Sequence, residues 1–279
     1  MRNWLLIENA GPWGRTALRD SRLAAEVGVR LQRLARESGV RTLLIRRPGR
    51  SDPDGHHVLA SHTGPGAVWL ERGHVSDVRE VFDLDLSALA RGQPVGLDHL
   101  VDESLYLVCT HGRRDVCCAE KGRPLAAELS NGFPEQTWES SHIGGDRFAG
   151  NLVCFPHGVY YGRVAPRDAW WIAAQYADGA VDLDHYRGRS CYGVSVQAAE
   201  TFLRRDRALP RIDDVRLVSA RSVGPHETRA VFTGPTDLRY LVRVRTTPSA
   251  EPRALTCSSV RDARPPAFEL LEIRAGPAA

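Results

Sequence analysis

The sequence has no apolar run that approaches the length of a membrane-spanning helix. A helix needs about 20 apolar residues to cross a bilayer, and the core of a secretory signal needs about 7–15. The N-terminal segment MRNWLLIENAGPWG has a shorter apolar run, which acid and proline follow directly. We therefore expect a soluble protein of the cytoplasm with no membrane partner.

Lysine is almost absent, since Lys121 is the only one in 279 residues. Arginine supplies nearly all of the positive charge, and the formal net charge is only +3. A nucleic-acid-binding face would concentrate basic residues on one element, whereas the arginines are spread along this chain. We therefore expect no nucleic-acid partner.

The six cysteines include no Cys-x-x-Cys pair. A chain of this length buries enough apolar surface to fold without disulfides, so the cysteines are expected to be reduced thiols or metal ligands. Cys154, Cys191 and Cys257 stand alone in the sequence and are interpreted as small buried apolar residues. The sequence also has no nicotinamide or flavin fingerprint.

The first part of the chain alternates strand and helix patterns. Residues 4–8 and 41–47 are short apolar runs typical of buried strands. Between them, apolar residues recur at helical spacing from 20 to 38, and Gly39 stands where a helix C-terminal cap belongs. This order predicts an α/β unit over residues 1–98.

A second unit is predicted over residues 99–206. Its first long strand, 104–110, carries Cys109 at its end. A short helix is predicted over 122–129, with Pro124 in the first turn, where proline is best tolerated.

The pattern changes to short β runs after Pro210. Alternation within these runs predicts a small β appendage over residues 207–279. The tail that starts at Ala263 is expected to be loosely held at its end, as chain termini often are.

Two loops of the second unit carry the residue types of a metal site. Cys109 and Cys118 lie nine positions apart, and His142 and Asp146 lie four positions apart in a later loop. Two thiolates with two harder ligands suit a two-iron cluster in which each iron takes one pair of ligands. They also suit tetrahedral zinc, and spacing alone does not choose between these metals.

Gly144 and Gly145 stand inside the second of these loops. Glycine lets the backbone approach a bulky inorganic centre closely, and backbone amides can donate hydrogen bonds to cluster sulfides. Both glycines are therefore included among the residues predicted to bind the cofactor.

Three segments around these residues resemble the sucrase/ferredoxin-like family: CTHGRRDVCC (109–118), WESSHIGGDRFAGN (138–151) and FPHGVYYGRV (155–164). WLLIENAGPWG (4–14) and YRGRSCYGVSVQAAE (186–200) are similar to flanking segments of that family. The resemblance implies that the second unit is a thioredoxin-like [2Fe-2S] ferredoxin domain. Together with the patterns above, it predicts an α/β fold in which this domain is preceded by a second α/β unit and followed by the β appendage.

The same resemblance implies that Cys109, Cys118, His142 and the residue at position 146 are the ligands of a [2Fe-2S] cluster. Family members with a histidine-ligated cluster have a second histidine at the last of these positions. This chain has Asp146 there instead.

Three explanations of Asp146 follow. Its carboxylate ligates iron directly, or another residue such as Cys117, His111 or His157 supplies the fourth bond, or the cluster is lost. The first is favoured because the cysteines, the first histidine and the glycines are otherwise intact. Cys117 is expected to point away from the metal, because adjacent side chains diverge.

The leading hypothesis is an electron-transfer protein that carries this [2Fe-2S] cluster and works with a redox partner protein. The alternatives are a thiol-dependent oxidoreductase on a thioredoxin-like scaffold and a zinc-stabilised binding module without redox activity. A sugar hydrolase, suggested only by the family's name, needs two carboxylates across a glycosidic bond, and no pattern in the sequence marks such a pair.

Overall fold

The computed structural model describes residues 1–49, 55–257 and 259–276. The helices are α1 (Ala17–Asp20), α2 (Ala25–Ser38), α3 (Leu86–Ala90), α4 (Val116–Gly132), α5 (Pro166–Ala177) and α6 (Val194–Arg207). The strands are β1 (Asn3–Glu8), β2 (Arg41–Arg46), β3 (His56–Thr63), β4 (Val68–Val75), β5 (His99–Leu100), β6 (Leu105–Cys109), β7 (Thr137–Ser140), β8 (Leu152–Phe155), β9 (Val159–Tyr161), β10 (Tyr186–Arg189), β11 (Arg216–Gly224), β12 (Glu227–Thr233), β13 (Arg239–Pro248) and β14 (Pro266–Gly276). Short 3₁₀ turns lie at Val78–Asp83, Asp146–Phe148, Ile212–Asp214 and Pro235–Asp237.

Ten strands form one mixed sheet in the order β10-β9-β8-β6-β7-β2-β1-β3-β4-β5. Two of its neighbouring pairs, β1 with β2 and β6 with β7, are parallel. In both pairs helices make the crossover between the strands, as parallel pairing requires. The predicted α/β class is therefore confirmed.

The two predicted α/β units contribute to the same sheet. Strand β2 pairs antiparallel with β7, in a register that sets Ile45 opposite Ser140 and Arg46 opposite Glu139. Arg46 also forms an ion pair with Glu139 at this junction. The division at residues 98 and 99 stays a prediction, and the sheet is continuous across it.

The second sheet has four antiparallel strands in the order β11-β12-β13-β14. Helix α6 packs on this sheet, with Ala199 and Leu203 buried against Phe232 and Val242. The small β unit expected at the end of the chain is therefore present as a separate antiparallel sheet.

Most of the C-terminal tail is held in the second sheet, and the looseness expected at its very end stays a prediction. Strand β14 is 11 residues long and pairs with β13 from Arg239 opposite Gly276 to Pro248 opposite Pro266. Phe268 and Ile273 pack against the core of this sheet. Backbone pairing and apolar contacts together hold the segment, and residues 277–279 lie outside the described range.

Two helix boundaries test the sequence patterns. Helix α2 ends at Gly39 in the left-handed conformation with φ 68°, as predicted. Helix α4 begins at Val116, six residues before the predicted start at Gly122, and Pro124 lies inside it. The capping residue explains the earlier start, because the side chain of Asp115 accepts a hydrogen bond from the backbone of the first turn.

No helix among residues 1–49, 55–257 and 259–276 combines the length and the apolar character needed to cross a membrane.

Candidate metal centre

Cys109 and Cys118 are brought together by the end of β6 and the first turn of α4. Gly122 permits this close approach, because a Cβ atom at that position would lie 2.0 Å from the carbonyl oxygen of Cys109. Both cysteines are 1% exposed and belong to an apolar cluster that includes Trp4 and Trp138. The two thiols are therefore shielded from water.

His142 follows β7, which runs parallel to β6 with Ser140 opposite Cys109. The loop after β7 therefore starts beside the end of β6. Arg41 Nη2 donates a hydrogen bond of 3.0 Å to the His142 carbonyl and holds the loop in place.

Donor atoms of Cys109, Cys118 and His142 all lie within 4.8 Å of one another. Cys118 Sγ is 3.9 Å from His142 Nδ1. The His142 side chain is 20% exposed, so the site is buried on the thiol side and reaches solvent at the imidazole. Three separated segments of the chain thus supply two sulfur donors and one nitrogen donor to a single point.

The two thiols share a hydrogen bond that separates their pKa values. The bond from Cys118 lowers the pKa of Cys109 well below its usual range, and hydrogen bonds from the His142 side chain and the backbone of His111 and Ile143 act in the same direction. The same thiol–thiol bond, with burial, raises the pKa of Cys118. The interaction therefore favours the thiolate form of Cys109, and the thiolate is the form that ligates metals.

Asp146 lies on the other side of the His142 ring. Its Oδ1 atom is 3.0 Å from His142 Nε2, whereas Cys118 faces Nδ1. Asp146 is outside the group of donors that meet within 4.8 Å. Its Oδ1 atom is buried and has no well-aligned hydrogen-bond partner among the described residues, and burial raises the pKa of this carboxyl.

The predicted glycines both adopt left-handed backbone conformations, with φ of 87° at Gly144 and 76° at Gly145. A Cβ atom on Gly145 would lie 2.7 Å from Arg187 Nη2, whereas one on Gly144 would meet no atom within 4 Å. The turn therefore needs both glycines for their φ angles. Gly145 is needed in addition because Arg187 packs against it.

His111, an alternate ligand, has both ring nitrogens in hydrogen bonds. Its Nδ1 atom accepts from the backbone N–H of His142 at 3.1 Å, so Nε2 donates to the carbonyl of Gly14 at 2.8 Å. Burial lowers its pKa and favours this neutral form. In this arrangement His111 supports the backbone of His142.

His157, the other alternate histidine, lies in the turn between β8 and β9. Its Nδ1 atom is 2.8 Å from the hydroxyl oxygen of Tyr176. Burial lowers the pKa of His157 to about 4. It does not belong to the donor group of the two thiols and His142.

Cys117 points away from the metal site, as predicted, and forms a disulfide with Cys257. The expectation that all six cysteines are thiols or ligands is therefore wrong for this pair. Cys257 is exposed, so its interpretation as a buried apolar residue is also wrong. The two cysteines are 140 positions apart in the chain, and no local pattern indicates their pairing.

Asp115, a buried carboxylate at the start of α4, was not among the predicted site residues. Its Oδ1 atom accepts from the backbone of Cys117 at 3.0 Å, and its Oδ2 atom accepts from the backbone of Cys257 at 2.9 Å. An aspartate just before a helix is a recognised N-cap signal. Its second hydrogen bond, from the backbone of Cys257 in a distant segment, has no such signal in the sequence.

A cavity of about 220 Å³ opens beside the imidazole side of the site. Its lining includes Thr42, His111, Arg114, Ser141 and His142. This opening gives small molecules or ions a route to the one donor that is partly exposed.

The donor set fits a thiophilic metal. Thiolate and imidazole are the usual ligands of zinc and of iron–sulfur centres, and a carboxylate behind a ligating histidine is the usual outer partner of that histidine. Fold and site together define an α/β protein with a two-thiol, one-imidazole site capable of binding a metal.

The chain belongs to the sucrase/ferredoxin-like family, whose sequence model matches residues 1–188. The suspected resemblance is therefore confirmed. The matched region contains all three donors and ends before α6 and the second sheet. No solved structure gives a significant match to the chain.

Three curated fungal relatives share the name Altered inheritance of mitochondria protein 32. The protein of Meyerozyma guilliermondii is 35% identical over 99 residues, which are 32% of this chain and 35% of the relative. That of Clavispora lusitaniae is 30% identical over 131 residues, 42% of this chain and 48% of the relative. That of Debaryomyces hansenii is 30% identical over 99 residues, 32% of this chain and 36% of the relative. The chain thus spans about a third to a half of the length of these relatives.

These findings contradict the prediction of an electron-transfer protein. The relatives are named for the inheritance of mitochondria and not as electron carriers, and the family's description assigns no such activity to this chain. The coarser prediction of a metal-binding Cys/His group is supported by the geometry of the described residues. The cytoplasmic location stays a prediction, since the relatives' name refers to mitochondria.

Proposed function

We propose that this protein binds a thiophilic metal centre through Cys109, Cys118 and His142. The observation that carries the proposal is the convergence of their donor atoms within 4.8 Å from three separate segments. Burial of polar donor atoms in an apolar surrounding is costly without a partner, and a bound cation would supply one. It would also stabilise the thiolate forms of both cysteines.

The proposal does not specify which metal centre is bound. A [2Fe-2S] cluster is the group that the family resemblance implies, and a single zinc ion uses the same kinds of donor. The cluster and the thioredoxin-like relationship of the domain stay predictions. Iron with acid-labile sulfide in the purified protein would identify the cluster, and zinc alone would identify the single ion.

His142 would bind through Nδ1, the nitrogen that faces Cys118. Its Nε2 atom would then keep its proton and face Asp146 Oδ1, 3.0 Å away, and a small turn of the ring would align the two for a hydrogen bond. In this proposal Asp146 orients His142. The carboxylate can reach a metal beside the thiols only if the ring or the 144–146 turn moves.

The bound metal would supply a cross-link between the end of β6, the first turn of α4 and the loop after β7. Each of these segments also has its own protein contacts. Arg41 and His111 hold the backbone of His142, and Gly122 lets α4 lie against β6. The site is therefore largely formed by the fold, and the metal adds stability to it.

Metal analysis of protein purified without oxygen tests the proposal. We expect about one metal centre per chain in the wild type, and a loss of most of it in Cys118→Ala, because one thiolate is removed. Cys154→Ala is the matched control, since Cys154 is also a buried free cysteine but lies in a different apolar cluster. Wild-type protein that stays free of iron and zinc after expression with both metals supplied, or equal metal in the two variants, would contradict the proposal.

A further inference from the structure

A second site lies apart from the metal donors, in a cavity of about 350 Å³. It is enclosed by the 3₁₀ turn at Asp146–Phe148, strand β10, helix α6 and strand β14. Its lining combines three guanidinium groups with three aromatic rings: Arg147, Arg187, Arg253, Phe148, Phe202 and Phe268. Ligand pockets typically have volumes of about 300–1,000 Å³ and a mainly apolar lining with a few polar groups.

The three arginines have no acidic partner in the described part of the chain. Within residues 1–49, 55–257 and 259–276, no carboxylate forms an ion pair with Arg147, Arg187 or Arg253. Arg253 and Arg163 lie close enough to lower the pKa of Arg147, in addition to the effect of burial. Positive charges therefore gather here without a counter-charge from the described part of the chain, and an anion would relieve their repulsion.

Arg187 is held in a fixed position in the wall of the cavity. Its Nη1 atom donates to Asn151 Oδ1 at 2.6 Å, and its guanidinium lies 4.1 Å from the ring centre of Phe148. Glycine makes room for it on two sides, since a Cβ atom on Gly145 or Gly162 would lie 2.7 or 2.5 Å from Arg187 atoms.

The remaining donors of Arg187 are free to meet a ligand. Its Nε and Nη2 atoms have no acceptor among the described residues. Burial lowers the pKa of Arg187 to about 10, so the group keeps its charge at neutral pH. A rigid, charged group with free donors is suited to bidentate recognition of an oxyanion.

The rest of the lining is mainly apolar. It includes Phe202 and Ala198 of α6 and Phe268 and Pro266 of β14. Thr201 Oγ1, which also belongs to the lining, donates to the Gln197 carbonyl. This part of the lining therefore suits a flat or aliphatic body and not a second charged group.

We propose that this cavity binds a phosphate monoester with an apolar or aromatic body. The phosphate, with a charge of about −1.5 to −2 near neutral pH, would lie against the guanidiniums of Arg147, Arg187 and Arg253. The body would lie between α6 and β14. None of these residues is a metal donor, so the inference does not depend on the proposed function.

Calorimetric titration of the full chain with three probes tests this inference. 1-Naphthyl phosphate carries both features, 1-naphthol has only the aromatic body, and inorganic phosphate has only the charge. We expect the naphthyl phosphate to bind at least about tenfold more tightly than either of the others, and its affinity to fall with added salt. No binding of 1-naphthyl phosphate, or binding of 1-naphthol with equal affinity, would overturn the inference.

Arginine variants locate the site. Arg147→Gln and Arg253→Gln should each weaken the binding of 1-naphthyl phosphate about tenfold, because each removes a charge-assisted contact. Arg221→Gln is the matched control, since Arg221 lies on β11, at the edge of the second sheet farthest from β14. An equal loss in all three variants would mean that general charge attracts the probe, and would overturn the assignment to this cavity.

Discussion

His142 presents its two ring nitrogens to different neighbours. Cys118 Sγ lies 3.9 Å from Nδ1, and Asp146 Oδ1 lies 3.0 Å from Nε2. A histidine that binds a metal through one nitrogen usually donates the proton on the other to a carboxylate or carbonyl, which fixes the ring and makes it a better ligand. Asp146 is in the place that such a partner occupies.

Asp146→Asn should therefore weaken metal binding without abolishing it. Loss of an outer carboxylate partner typically costs about 10–100-fold in metal affinity, and we expect a decrease in that range at unchanged stoichiometry. Competition with a chromophoric chelator measures the affinity. Asp182→Asn is a matched control, because Asp182 makes a similar contact to His185, 2.8 Å from its Nδ1, away from the metal donors.

The same variant separates an orienting role from direct ligation. In cobalt-loaded protein, Asp146→Asn should leave the ligand-field absorption close to that of the wild type, because the ligating atoms are unchanged. A clear change of coordination in that spectrum would show that Asp146 is itself a ligand, and would contradict the orienting role.

Part of the site could be predicted from the residues alone. Two cysteines nine positions apart, with a histidine in a glycine-containing loop, indicated a metal site, and the structure brings Cys109, Cys118 and His142 together. The position of Asp146 could not be predicted, because it depends on how the His142 ring is turned. The disulfide between Cys117 and Cys257 could not be predicted either, because it joins segments 140 positions apart.

The first turn of α4 joins the metal site to the second sheet. Asp115 caps this helix and also accepts a hydrogen bond from the backbone of Cys257. Cys117, one residue before the proposed ligand Cys118, forms the disulfide with Cys257. The segment between β13 and β14 is thus fastened beside the site by a covalent bond and by a buried carboxylate.

Cys257→Ser should lower the free energy of unfolding by about 2–4 kcal/mol, the usual contribution of a disulfide that closes a long loop. Urea denaturation with and without a phosphine reductant measures the change. The reductant should destabilise the wild type and Cys191→Ser, a free-cysteine control, and leave Cys257→Ser unaffected. A wild type whose stability does not respond to the reductant would contradict this account of the pair.

The metal site lies near the middle of the ten-stranded sheet. Strands β6 and β7 are parallel neighbours there, and the ligands follow their carboxyl ends, where binding sites of parallel sheets usually lie. The family match covers this sheet through residue 188, and α6 and the second sheet follow it. The arginine-lined cavity lies between these two parts of the molecule.

The individual strands of the sheet could be predicted from apolar runs such as those at β1, β2 and β6, since each run has the length and composition of a buried strand. The order of these strands in the sheet could not be predicted. The pairing of β2 with β7 joins segments more than 90 residues apart, through contacts such as Arg46 with Glu139, and no local pattern specifies it. The same limitation applies to β14, whose partner strand is separated from it by a long loop.

X-ray absorption at the edge of the bound metal tests the proposed ligands themselves. We expect sulfur neighbours, at about 2.3 Å if the metal is zinc, together with the multiple scattering of an imidazole. The sulfur signal should fall in Cys118→Ala, and the imidazole signal should disappear in His142→Ala. A metal surrounded only by oxygen and nitrogen in the wild type would contradict the account.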